Sequence, residues 1–403
     1  MGKKHFVFYC IIIAIIICTP LLCTALNVGS KLITDRRIIQ EDDLRGVYEK
    51  PKITDLTLDT LLSRQFQTEF EKYVEFQITP RLTLTRVYNQ LLHTAFHSTD
   101  SKSVLIGRDD YLFEKNYPTA FFSELTPIDK ANLEIQINKT HMLKELLKQR
   151  GITLVVRMSP SKAAHYSEFL PRPYDRFNQM KKSGEYGDNW YQAFTKIIHT
   201  TDIPFYDRNA YLQDLKHDGK IVFAKGGTHW TLLPLAEYIN GLNMFIEDLT
   251  GKKLGRIVIS NEEVITGRMG TVDDCDIWNI CWNAVSVSPD YPSPNITFQT
   301  IPGDSSLRVF TVGQSFTWGL LNTVYSSEHP VWSETYFSYY NGKVHHYNSE
   351  TPRGVQISDK TEDYEQYLKM DIVMIEFLES GPGDQQFEFV DHLLQYLQVN
   401  GAE

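Results

Sequence analysis

Blocks of like charge are missing from this sequence. No long Lys/Arg run occurs, and the formal net charge over 403 residues is −10. Both features argue against a nucleic-acid surface, so no nucleic-acid partner is expected. No segment repeats at a fixed period, which excludes solenoids and propellers. Cysteine is scarce, with five in all. Three of them, Cys10, Cys18 and Cys23, fall in a stretch that lacks charge altogether, Phe6 to Leu26 (FVFYCIIIAIIICTPLLCTAL), just after Lys3 and Lys4. At helical rise this run covers about 30 Å, the thickness of a hydrocarbon core. Basic residues ahead of it keep the N-terminus cytoplasmic and export the rest. Two outcomes fit: a single membrane anchor, or a signal peptide holding Pro20 and cut after Ala25. The length favours the anchor. Lipidation at Cys23 is disfavoured by the bulky Leu22 before it.

The expected location is therefore the cell membrane, with one pass and an extracytoplasmic domain; cleavage would instead give a secreted or periplasmic protein. The exported part holds only Cys275 and Cys281, in CDIWNIC. An oxidising compartment allows these two to close a small disulfide loop; two free thiols are the plainer alternative. No third or fourth ligand lies nearby to make a zinc site. Nothing in the sequence calls for a cofactor or a metal.

What is present is material for a full core, with 42% hydrophobic and 12% aromatic residues. Residues 27–58 are polar and mixed in charge, and read as a spacer. A single domain is expected over 59–403. Its first part shows two helical stripes: Phe66, Phe70, Tyr73 and Val74, then, past Pro80, Leu84, Val87, Tyr88, Leu91, Leu92 and Phe96. Such Phe/Tyr stripes are expected to be core. Ser103 to Phe113 (SVLIGRDDYLF) reads as a hairpin. A helix is expected over 128–150, with Gly151 as its C-cap. Ile152 to Met158 reads as a buried strand of the parallel type, ending in the polar loop Ser159–Lys162. Further helices are expected at 190–199, 235–247 and 385–397, and strands at 203–207, 307–312 and 371–377. Residues 252–300, with short β-like runs and several prolines, read as a β-rich insertion. The alternation of helix and strand gives an α/β sandwich with a mainly parallel sheet.

Two short stretches carry the candidate chemistry. Val309 to Phe316 (VFTVGQSF) runs from a strand into a helix, which sets Ser315 where ligands collect in open α/β sheets. The unpaired N–H groups of a helix start can hold an oxyanion. Gly226 to Thr231 (GGTHWT) offers His229 as a base. A serine hydroxyl is a poor nucleophile until such a base takes its proton, and the base in turn needs an orienting partner. Taken singly, Gly-x-Ser before a helix is more often only an N-cap, and a histidine beside Trp230 more often a satisfied structural residue.

Together GQSF, GGTHW, the GRDDYLF hairpin and SPSKAAHYSEFLP resemble the alginate O-acetyltransferase family (AlgX/AlgJ-like) over roughly residues 60–398. The resemblance implies an SGNH-hydrolase-like (flavodoxin-like) domain with a permuted order, the histidine segment preceding the serine. It implies an exported or membrane-anchored protein that places acetyl esters on a polysaccharide, with a membrane-bound acyltransferase as the acetyl donor. Ser315 would be the nucleophile and His229 the general base. The N–H of Ser315 and groups near Gly313 would help form the oxyanion hole. Lys162 matches the family's P-S-K segment, as a site-lining or equally a structural residue.

Two positions depart from the family pattern. Its triad aspartate falls at Gly227, and the aspartate of G-D-S-F is Gln314. Three arrangements stay open: a substitute carboxylate, with Glu376 or Glu379 at the end of a core strand as candidates, a Ser-His dyad, or a backbone carbonyl as orienter. Three readings follow: an O-acetyltransferase working through an acetyl-serine, a carbohydrate esterase, or a catalytically silent relative that binds polysaccharide or scaffolds an acetylation complex.

Overall fold

The computed structural model describes residues 3–34, 38–39, 53–266, 276–281, 292–339, 342–361, 363–381 and 384–400. Cys275 and the side chain of Cys281 lie outside them, and with them the expected disulfide. The chain forms two compact units, residues 1–103 with 278–288, and residues 104–277 with 289–403.

In the first unit, the uncharged run is part of one long helix, α1 (Lys3–Thr34). Its residues 5–34 are long and apolar enough to cross a membrane. The helix continues eight residues past Leu26, into what the sequence reads as spacer. Two amphipathic helices follow, α2 (Gln65–Gln77) and α3 (Arg81–Phe96), joined by a tight turn with a cis Thr79–Pro80 bond. The apolar stripes expected to be core do not behave as core. Leu84, Tyr88 and Leu91 of α3 are 46%, 51% and 63% exposed, and Phe70, Tyr73 and Val74 of α2 are exposed as well. A period of 3.6 fixes which residues share a face; it does not say what that face meets.

The second unit is built on a seven-stranded sheet. Its strands are β3 (Thr153–Ser159), β4 (Phe205–Tyr206), β7 (Arg308–Gly313), β8 (Glu334–Tyr339), β9 (Val344–Asn348), β10 (Val355–Ser358) and β11 (Ile372–Leu378). The spatial order is β10-β9-β8-β7-β11-β3-β4. The five strands from β8 to β4 are parallel, and β9 and β10 add an antiparallel edge. Strand alternation gives the sheet two apolar faces. Leu154, Val156 and Met158 of β3 and Val373, Ile375 and Phe377 of β11 join one core. Helices α4 (Pro127–Lys148), α5 (Trp190–Ile198) and α9 (Asp384–Asn400) pack into it. Val155, Met374 and Val309 face the other core, with α6 (Leu232–Thr250) and α8 (Ser315–Val324). Helices on both faces of a mainly parallel sheet make an α/β sandwich.

Two elements outside the sheet position the site. The hairpin β1 (Val104–Ile106) and β2 (Leu112–Glu114) pairs antiparallel, with Asp109 and Asp110 at positive φ in its turn. The β-rich stretch is a long antiparallel ribbon, β5 (Arg256–Thr266) with β6 (Pro292–Ile301). Between its arms lies a short helix, α7 (Asp276–Cys281).

Candidate active site

Ser315 opens α8 directly after β7, at the carboxyl edge of the parallel strands. The turn that presents it is held from below by Glu376 of β11. One carboxylate oxygen accepts the Gln314 N–H at 2.7 Å and the Thr317 hydroxyl at 2.5 Å. The other accepts Ser159 Oγ and pairs with Arg157 at 3.0 Å. Arg157 and Glu376 are fully buried, and Arg157 also donates to Thr317 Oγ1 and Ser159 Oγ. A buried ion pair repays its desolvation only when its remaining lone pairs and protons are bonded, as most are here. Gly313 is required by the same packing. A Cβ there would lie 2.5 Å from both Glu376 Oε2 and Thr317 Oγ1.

His229 stands on the loop between Phe223 and Trp230, which are bridged to each other. The loop is closed by Thr231 N–H on Val222 O, and it leads into α6. Lys162 fastens the loop from behind. Its Nζ is buried and lies within 2.7–2.9 Å of the carbonyl oxygens of Leu112, Ala224, Lys225 and Gly227. Lys162 therefore does not line an open site; an ammonium surrounded by carbonyls ties the histidine loop to the hairpin. Leu112 N–H on Lys225 O makes the same link through backbone. Trp230 is buried against Tyr238 and Phe316, and Phe316 in turn meets the His229 ring edge-on.

These elements bring three side chains into line. His229 Nε2 is 2.9 Å from Ser315 Oγ, and His229 Nδ1 is 2.8 Å from Asp276 Oδ2. A carboxylate only accepts, so Nδ1 carries the proton and Nε2 accepts from the Ser315 hydroxyl. The carboxylate on His229 thus comes from the first residue of α7, inside the β-rich stretch. It is neither Glu376, which supports the Ser315 turn, nor Glu379, which accepts the Ser161 N–H at 2.9 Å. Gly227 leaves no side chain on the histidine loop, and its place is taken from the ribbon. The other Asp276 oxygen accepts the N–H groups of Thr228 and Ile277 at 2.9 and 2.6 Å, which fixes the carboxylate plane. Gln314 is the half-buried N-cap of α8; its contribution to the turn is the backbone N–H on Glu376.

A second acid stands behind the first. Thr228 Oγ1 donates to Glu114 Oε1 at 3.0 Å, and Glu114 is delivered by the last residue of β2. Burial pushes the Glu114 carboxyl up, and the Asp276 charge adds to this, while the Thr228 hydrogen bond and His229 oppose it. Burial, with the carboxylates of Glu114, Asp276 and Glu376 nearby, also holds the Tyr117 hydroxyl protonated. Sequence reading found neither Asp276 nor Glu114. Asp276 sits among other acidic residues in DDCDIWNIC, where the cysteines draw attention first. Glu114 is the residue immediately after the hairpin pattern.

Residues 104–233 match the family model "SGNH hydrolase-like domain, acetyltransferase AlgX", a span that includes the hairpin, Lys162 and His229. A probable alginate O-acetylase AlgJ of Pseudomonas fluorescens is 26% identical over 174 residues. That stretch is 43% of this chain and 40% of the relative, so the chain spans less than half of that relative's length. Among solved structures, the O-acetyltransferase domain of Pseudomonas putida AlgJ aligns over 73% of this chain and 99% of its own, at 17% identity and a TM-score of 0.45. Pseudomonas aeruginosa AlgX aligns over 77% and 70%, at 15% identity and 0.36. Bacillus cereus PatB1 aligns over 71% and 99%, at 9% identity and 0.41. The chain carries an SGNH-hydrolase-like domain related to the AlgX/AlgJ alginate O-acetylase family.

Proposed function

We propose that this domain is an extracytoplasmic O-acetyltransferase that esterifies hydroxyl groups of a polysaccharide through an acetyl-serine intermediate. The observation that carries the reading is the Ser315–His229–Asp276 line, with contacts of 2.9 and 2.8 Å. In the first half-reaction Ser315 Oγ attacks the acetyl carbonyl as its proton passes to His229 Nε2. The N–H groups at the start of α8 stabilise the oxyanion, and the imidazolium returns the proton to the departing donor group. In the second, His229 takes the proton of a sugar hydroxyl, whose oxygen attacks the acetyl-serine; the new ester leaves as the imidazolium returns that proton to Ser315 Oγ. Asp276 holds the imidazole tautomer throughout. The donor in this reading is a membrane-bound acyltransferase, met at the surface of the membrane that α1 spans.

The silent-relative reading rests on Gly227 and Gln314, where the family pattern has aspartates; the Asp276 carboxylate on His229 supports the enzyme reading instead. An esterase would share the first half-reaction and differ only in using water for the second. The test is to incubate the protein with an activated acetyl ester and read acetylation of Ser315 by mass spectrometry. An adduct is expected, and it should be absent from Ser315→Ala and His229→Ala. A folded protein that forms no adduct would remove the acyl-serine mechanism. Transfer to oligosaccharide in preference to water separates transferase from esterase.

A further inference from the structure

The apolar stripes of α2 and α3 require an explanation, because they are exposed where the pattern calls for core. On α3, Leu84, Tyr88, Leu91 and Ala95 succeed one another at helical spacing, and all four are exposed. On α2, Phe70, Tyr73 and Val74 do the same, and Ile78 of the turn is exposed as well. The turn between these helices is bonded to α1. Thr79 N–H donates to Thr24 Oγ1 at 2.9 Å, and Asn27 Nδ2 donates to Thr79 Oγ1 at 3.1 Å. Asn27 and Thr79 are buried by this contact. Thr24 and Asn27 bracket Leu26, the last residue of the Phe6–Leu26 run, and charge returns at Lys31. Residues 5–34 make a helix of about 45 Å, against a hydrocarbon core of about 30 Å. The turn is therefore tied to α1 at the level where the helix leaves the hydrocarbon.

We infer that the α2–α3 hairpin lies on the membrane as an interfacial element, its Phe/Tyr/Leu stripe set into the boundary between headgroups and acyl chains. Three observations favour lipid as the occupant. The stripe is continuous with a membrane-spanning helix through the Thr24–Thr79 and Asn27–Thr79 bonds. Its tyrosines settle at the membrane–water boundary, and Phe and Leu form the buried face of helices that lie in it. Residues 58–97 carry four acidic and four basic groups, so the segment has no net charge with which to select an oppositely charged protein. Attachment of this kind depends on apolar area, and neutral lipid suffices for it. The inference rests on α1 as a membrane span, not on the chemistry of Ser315.

The test uses the full chain in phosphatidylcholine vesicles whose lipids are brominated near the headgroup end of the acyl chains. Tyr88→Trp and Leu91→Trp are compared with Ile128→Trp, an exposed apolar position at the start of α4, and with Ile13→Trp in the first half of α1. The signal of the six native tryptophans is subtracted. For a side chain buried 5–10 Å into the boundary, the emission added at positions 88 and 91 should fall about twofold. Added salt should not restore it, and Ile128→Trp should keep its emission. If positions 88 and 91 behave like position 128 while Ile13→Trp is quenched, the stripe is out of the lipid and the inference fails. Cross-linking between copies would then ask whether a second chain covers it. If Ile13→Trp is not quenched either, there is no anchor, and the interfacial role falls with it.

Discussion

A single residue, Asp276, decides whether His229 holds the tautomer that its contact with Ser315 requires. Asp276→Asn keeps the shape and removes the acceptor that fixes Nδ1–H. Acyl transfer is expected to fall by about 10³–10⁴-fold with folding intact, measured as the rate of Ser315 acetylation. Glu379 offers a different test. Burial lifts its carboxyl from 4.5 to about 8, and its neighbour at 3.8 Å is the ring of His165, which burial pushes down to about 4. The folded state then holds a proton on Glu379 that the unfolded chain has lost. Its contribution is complete below about pH 4.5 and declines as the pH rises towards 8. The slope is at most about 1.4 kcal/mol per pH unit. Below about pH 6.5 the depressed His165 contributes a rising slope that offsets this, so urea midpoints should fall in the parent protein chiefly between about pH 6.5 and 8. They should fall less steeply in Glu379→Gln, whose amide stands in for the protonated acid.

Elements differ in how far their sequence announces them. The strands β3, β7 and β11 and the helices α4, α5, α6 and α9 follow from apolar runs and periodicity, because burial on a sheet dictates those patterns directly. The strands β8 to β10 do not stand out, since their polar and aromatic residues carry no clean period. The stripes of α2 and α3 have the right period and the wrong expected environment. Ser315 and His229 are legible as residue types in a motif. Asp276 is not, because its position depends on how a ribbon folds back rather than on any spacing. Lys162 belongs to this scale too, as a tie between two loops and a hairpin. Lys162→Met would strand buried carbonyl groups and cost about 3 kcal/mol, visible in urea unfolding. The loosened 224–227 loop should lower Ser315 acetylation even where the protein is fully folded.

For the molecule as a whole, the contacts at the end of α1 bear on whether the first helix is kept. Cleavage after Ala25 would remove Thr24 and leave Asn27 at a frayed terminus, undoing the buried bonds to Thr79. The mature protein is therefore expected to retain α1. Intact mass spectrometry of protein extracted from membranes should give the uncleaved chain, and a mature terminus at Leu26 would contradict this. The same scale shows how the candidate site is completed. The backbone amide next to Ser315 is held by Glu376, which lies 62 positions after Gln314. During synthesis His229 emerges first, Asp276 next and Ser315 third, and all three precede Glu376 by a long interval. A nascent chain that already contains every member of the line still has no settled turn on which to present its serine. The turn that presents Ser315 is thus completed only once residue 376 has been added to the chain.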